Sequence, residues 1–150
     1  MTEIETRILT MADAHELAPL VTACVQERKR GAPGRPDQFY AERLLNDRTA
    51  EIIGARHDGH LAGFALFFDL PDPMTGRRMG QLNEVFVIQA AREKGIEHGL
   101  IKAVIAEAAK RDWCDLHWVT PDKPAVAASL AEHFGRPADW SVFTVPIPHR

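Results

Sequence analysis

The stretch from Val85 to Leu100, reading VFVIQAAREKGIEHGL, constrains the fold more than any other part of the chain. A β-branched and aromatic run stops at Ile88, a short polar turn follows, and a long amphipathic helix opens between Arg92 and Gly95. A strand that feeds a helix N-terminus presents backbone N–H groups without intrahelical partners at the positive end of the helix dipole. Such a junction is a natural anion site.

The elements around this junction alternate as β-α-α-β-β-β-α-β-α-β. Glu3 to Leu9 alternates as a first strand, and Asp13 N-caps a helix with Leu17, Leu20, Val21 and Val25 on one face. A breaker-rich loop over 30–36 leads to a second helix, Asp37 to Leu45, with Phe39, Leu44 and Leu45 inward. Strands over 52–56 and 61–68 flank Asp58-Gly59, a type I′ hairpin signal. The turn over 71–76 precedes a strand from Met79 to Ile88. The main helix then runs from about Glu93 to Arg111, with a stripe of Ile96, Leu100, Ile101, Val104, Ile105 and Ala108. Leu116 to Val119 reads as a fifth strand, Pro124 suits the first turn of a last helix ending near Phe134, and Ser141 to Val145 reads as a closing strand. Without repeats or a low-complexity linker, this alternation predicts one α/β domain over 1–150, a mixed sheet flanked by helices.

Composition narrows the function classes. A formal charge of −3 gives no reason to expect nucleic acid or an anionic membrane as partner. The apolar run from Leu61 to Phe68 is too short to span a bilayer, and the charged N-terminus lacks a signal core, so a cytoplasmic protein is expected. Cys24 and Cys114 are far apart and read as buried free thiols. His57 and His60 flank a tight hairpin with no third ligand, so no metal site is expected. The run Phe64 to Phe68 with Phe86 reads as core rather than a partner surface, and Arg28-Lys29-Arg30 as complement to a helix C-terminus.

The order of elements, the long hairpins before the key turn and the segment from Val87 to Leu100 resemble the GCN5-related N-acetyltransferases (GNAT). Leu61 to Ala65 with Phe67-Phe68, the strand Leu82 to Val87, and Trp140 are similar to the diamine (spermidine/spermine) branch. The resemblance covers nearly the whole chain, weakly over the first fifty residues, and no motif in it is decisive alone. It implies the acyl-CoA N-acyltransferase fold, with a central mixed, mostly antiparallel sheet. It also implies transfer of acetyl from acetyl-CoA to a primary amine of a small molecule, by direct attack in a ternary complex.

Residue by residue, the family's pyrophosphate turn, Arg/Gln-x-x-Gly-x-Gly/Ala, falls on Arg92-Glu93-Lys94-Gly95-Ile96-Glu97. Arg92 and Gly95 match, whereas Glu93 and Glu97 stand where small residues are usual. The resemblance places cofactor-binding groups at Val87, Ile88, Arg92, Lys94, Gly95 and Ile96. A carboxylate about 4 Å from a phosphate charge costs roughly 4 kcal/mol at an effective dielectric near 20; acidic residues in a first turn also simply complement the helix dipole. In the family's diamine branch an acidic pair precedes the turn. Its positions here are Asn83 and Glu84, so Glu84 is the candidate that takes the amine's proton. A strand-end pairing of Glu84 with Arg77 or Arg78 is the plain alternative.

The family's thiol-protonating tyrosine falls on Ala131, with Ser129 and His133 as nearby substitutes and Pro124 where an asparagine is common; the sole tyrosine is Tyr40. Two readings are open: an acetyl-CoA-dependent N-acetyltransferase for a small amine, and a degenerate member of the fold serving as a binding or regulatory module. A homodimer through exposed sheet edges is compatible with either.

Overall fold

The computed structural model describes residues 3–29, 37–120 and 125–148, with only the backbone of 125–128. Two compact units are distinguished, residues 1–120 and 121–150.

In the first unit, β1 (Ile4–Ile8) leads through a 3-10 turn (Met11–Asp13) into α1 (Ala14–Lys29), then α2 (Gln38–Leu45). The strands β2 (Ala50–His57), β3 (His60–Pro71) and β4 (Arg78–Val87) follow. A second 3-10 turn (Gln89–Ala91), α3 (Ile96–Lys110) and β5 (Leu116–Trp118) complete it. The sheet is ordered β1-β2-β3-β4-β5; the first four strands are antiparallel and β5 runs parallel to β4. This is the mixed, mostly antiparallel sheet flanked by helices that the sequence implies.

Local chemistry sets the joints. Asp58 (φ 55°) and Gly59 (φ 77°) hold the positive φ values that a type I′ hairpin needs between β2 and β3. Asp37 caps α2 by accepting the Tyr40 amide at 3.1 Å. Asp13 does not take the expected N-cap role. It lies in the 3-10 turn before α1, accepts the Thr10 amide at 2.8 Å, and holds Arg7 and Arg56.

The pleat divides the core between two faces. On one, Ile52, Leu61, Phe64 and Phe86 pack with Leu17, Leu20 and Cys24 of α1 and Ala41 of α2. α3 packs on β1 to β4 through its buried residues Ile96, Leu100, Ile101 and Val104. The phenylalanine-rich strand is core as expected, since Phe64, Phe67 and Phe86 are all buried. Three residues assigned inward are instead exposed: Phe39 (67%), Val25 (43%) and Ile105 (42%). Helical spacing places them on an apolar stripe, but they lie at its edge, where they stay in contact with solvent. Cys114 is half-buried rather than buried; its thiol lies against Asp72 and Thr75.

In the second unit α4 spans Ala125–Phe134, close to the expected bounds, while Pro124 lies outside the described residues. Ser141 to Val145 does not form the expected strand. Its alternation satisfies a strand pattern, yet a strand requires a pairing partner, and none is present among the described residues.

Candidate active site

An irregularity in β4 creates the site. The β3–β4 register passes from Phe67↔Leu82 to Leu66↔Glu84, so Asn83 is an extra, bulged residue. The bulge reverses the side to which each later backbone group points. The Ile88 N–H donates to the Ala62 carbonyl at 2.9 Å, which sets Glu84, Phe86 and Ile88 toward β3. Val85 and Val87 therefore turn their N–H groups to the opposite side. There β5 pairs only with Gly80 to Leu82, and its last bond runs from the Val119 N–H to the Leu82 carbonyl at 2.9 Å. Beyond Leu82 that edge has no pairing strand among the described residues. Of the two strand-end amides anticipated for a cofactor, Ile88's is spent within the sheet and Val87's faces the open edge.

The turn that follows is built for close backbone approach. Glu93 (φ 65°) and Gly95 (φ 80°) are both left-handed, and Gly95 is the N-cap of α3 with no side-chain cap. The first helical bond runs from the Gly99 N–H to the Gly95 carbonyl at 3.1 Å, so the amides of Ile96 and Glu97 precede any intrahelical partner. A Cβ on Gly95 would meet nothing within 4 Å, so glycine is favoured there by its positive φ and not by crowding. Ile96 sends its side chain into the core and contributes only its amide, and Lys94 is exposed on the turn.

Arg92, expected at the phosphates, is directed elsewhere. Its Nε donates to the Val87 carbonyl at 3.0 Å, its Nη2 meets Glu27 of α1 at 2.5 Å, and its guanidinium lies 5.7 Å from the Phe86 ring centre. The side chain thus fastens the strand end to α1 and holds the turn in shape.

Glu84 sits beside the bulge on the α1 face. It pairs with Arg28, while the Cys24 thiol adds a hydrogen bond. Neither arginine expected for it is present: Arg77 binds Asp112 and Arg78 binds Asp69. Burial is the main influence on the carboxyl and raises its pKa, against the opposing pull of Arg28. Burial likewise pushes the Cys24 thiol up to about 12, so that thiol is a neutral packing group, not a nucleophile.

Arg28, Glu27 and Cys24 were not singled out as site residues. Cys24 and Arg28 are four apart, which places them on one helix face, but no sequence signal says that this face meets Glu84. In the second unit, Ala131 lies within α4, and Ser129 and His133 on it are exposed. Tyr40 is on α2. His57 lies 3.5 Å from Asp58, and no cluster of metal-ligating side chains occurs among the described residues.

An opened strand edge leading into an uncapped helix N-terminus is the architecture of an acyl-coenzyme A transferase. Residues 16–135 match the acetyltransferase (GNAT) family, and the chain belongs to that family. It is similar to the ribosomal-protein-alanine N-acetyltransferase of Brucella melitensis biovar Abortus 2308, with 41% identity over 97% of this chain and 100% of that one, at a TM-score of 0.87. The fold is shared with an aminoglycoside acetyltransferase from an uncultured soil metagenomic sample, at 15% identity over 98% of this chain and 97% of that one, TM-score 0.79. It is shared too with an aminoglycoside N-acetyltransferase in complex with CoA, at 17% identity over 98% and 96%, TM-score 0.76. No curated protein matches the chain. The chain is an N-acetyltransferase by family, and enzymes of this family use acetyl-CoA. The main chain offers groups that suit that cofactor, an open strand edge and helix N-terminal amides without a side-chain cap, with Glu93 and Glu97 beside them.

Proposed function

We propose that this protein acetylates a primary amine, holding acetyl-CoA along the open edge of β4 and on the turn into α3. The observation that carries the reading is the bulge at Asn83, which turns the Val85 and Val87 amides toward an edge that β5 leaves unpaired. When bound, acetyl-CoA would supply the acetyl group: the amine nitrogen bonds to the acyl carbon, the C–S bond breaks, and coenzyme A leaves as a thiol carrying a proton given up by the amine. The Val87 amide would hold its pantetheine arm, and the amides of Gly95, Ile96 and Glu97 would hold its pyrophosphate, with Lys94 adding positive charge at the turn. Arg92 shapes the turn through Val87 and Glu27 rather than contacting phosphate.

The acceptor arrives as an ammonium and needs its lone pair free. Glu84 accepts that proton. Burial raises its proton affinity above that of an ordinary glutamate, which suits a base. The acceptor is a small amine or, given the 41% identity to a ribosomal-protein-alanine acetyltransferase, the α-amino group of a protein that begins with alanine.

Calorimetric titration with acetyl-CoA and desulfo-coenzyme A tests the cofactor, and an acetylation screen over polyamines, aminoglycosides and alanine-initiated peptides tests the acceptor. Micromolar binding and acetylation of one amine class are expected. Absence of binding by the natural chain, with affinity appearing only after Glu93→Gly/Glu97→Gly, would replace this reading with a fold that has lost its cofactor.

A further inference from the structure

Two consecutive residues of α1 reach two different parts of the site. Glu27 holds Arg92 at the cofactor turn, and Arg28 holds Glu84 beside the bulge. The Arg28 and Glu84 side chains are 32% and 28% exposed, so the pair lies at a half-buried margin of the site that a solute can reach. Among the described residues three side chains act on Glu84. Arg28 favours its charged form by attraction and hydrogen bonding, the neutral Cys24 thiol adds a hydrogen bond, and Glu27 opposes the charge. A cation beside a half-buried carboxylate favours its charged form, and Arg28 is the cation that touches it.

We propose that Arg28 is a positioning residue that occupies the acceptor's ammonium position at Glu84, and that the acceptor binds by exchanging with it. The inference rests on Glu84 being the base. Guanidinium and ammonium each carry one positive charge, so the exchange never leaves the carboxylate ionised and alone. The two cations differ in acidity. A guanidinium does not release its proton to a carboxylate, so the resting pair stays ionic. An ammonium does: its N–H proton passes to a Glu84 carboxylate oxygen, and the N–H bonding pair stays on nitrogen as the lone pair. The products, amine and carboxylic acid, are both neutral, and burial favours neutral products. Arg28 thereby admits cationic amines in preference to neutral ones.

The test follows the Glu84 carboxyl by carbon NMR in glutamate-labelled protein, its signal assigned by its loss in Glu84→Gln. In Arg28→Gln, Glu84 is expected to bind its proton at least tenfold more tightly than in the natural chain, and Arg28→Lys is expected to restore the natural midpoint. At pH 8 and matched ionic strength, n-propylammonium chloride is expected to perturb the same signal at fivefold lower concentration in Arg28→Gln, because no guanidinium has to be displaced. Equal midpoints in the natural chain and Arg28→Gln, or equal or weaker propylammonium binding, would overturn the proposal. Neither measurement involves acetyl transfer, so these results stand or fall separately from the acetyltransferase reading.

Discussion

Glu93 holds a backbone conformation, φ 65°, that costs a side-chain-bearing residue roughly 1–2 kcal/mol and glycine almost nothing. The turn has kept its left-handed geometry although the residue that relaxes it is absent. Glu93→Gly is therefore expected to stabilise the fold by about 1 kcal/mol, less than the full strain because glycine also loses more freedom on folding. Urea unfolding measures it. The same variant is expected to tighten acetyl-CoA binding, because it removes a carboxylate from the anion turn. At Glu84 function and stability diverge: Glu84→Gln is expected to lower kcat by about 10²–10⁴-fold, the usual contribution of a positioned base, with acetyl-CoA affinity unchanged. Glu84 and Gly95 are candidates that a short-range pattern around one turn singles out. The same pattern carries nothing about the partners of Arg92, since Val87 and Glu27 lie 5 and 65 residues away. Pattern predicts which residues stand at a turn and not which way a long side chain bends.

β4 is the element on which the site depends, and its beginning is as constrained as its bulge. Gly80 donates its N–H to the Asp115 carbonyl at 3.0 Å and opens the short β4–β5 pairing. A Cβ there would lie 2.1 Å from Cζ3 of Trp113, whose ring is buried against Phe67. Gly80→Ala must displace that ring or part β4 from β5, and overpacking of this kind costs about 1–3 kcal/mol. Thermal unfolding should show the loss, and acetyl-CoA affinity should fall with it because the opened edge begins where this pairing ends. The hairpin at Asp58-Gly59 and the inner stripe of α3 were legible in the sequence, since each is written in neighbouring residues. The bulge was not: it is a relation between two strands, and β4 alone does not contain it. Ser141 to Val145 shows the reverse, an alternation without a partner.

Across the first unit, ion pairs fasten a helix to each side of the sheet. Asp13, before α1, holds Arg7 of β1 at 2.6 Å and Arg56 of β2 at 3.1 Å, while Glu16 takes Arg56 at 2.7 Å. Beyond the end of α3, Arg111 binds Glu51 of β2 at 2.5 Å and Asp69 of β3 at 3.2 Å, and lies 5.5 Å from the Phe67 ring centre. These contacts give the fold an acid limb of known sign. The hydrogen bond from Arg7 is the largest influence on Asp13 and lowers its carboxyl to about 2 from an ordinary 3.8. Glu16 and Asp69 are lowered as well, Glu16 chiefly by Arg56, and Asp69 by Arg78 and Arg111 against the opposing effect of its burial. A carboxyl lowered on folding contributes stability that is complete above its unfolded pKa and is lost as pH falls through the folded one. For the buried Asp13 this amounts to about 2 kcal/mol, lost between pH 4 and pH 2. Glu84 acts in the opposite sense. Its raised pKa means that the fold prefers the protonated carboxyl, so it subtracts stability as pH rises past its ordinary value of 4.5. Urea unfolding at pH 7 and at pH 3 separates the two. Asp13→Asn should lose about 2 kcal/mol at pH 7 and roughly half of that at pH 3, which lies between the folded and unfolded values, where the natural chain has already lost part of the same contribution. Glu84→Gln should gain relative to the natural chain at pH 7 and match it at pH 3. A Glu84→Gln variant less stable at pH 7 than at pH 3, relative to the natural chain, would mean that Arg28 outweighs burial at this carboxyl.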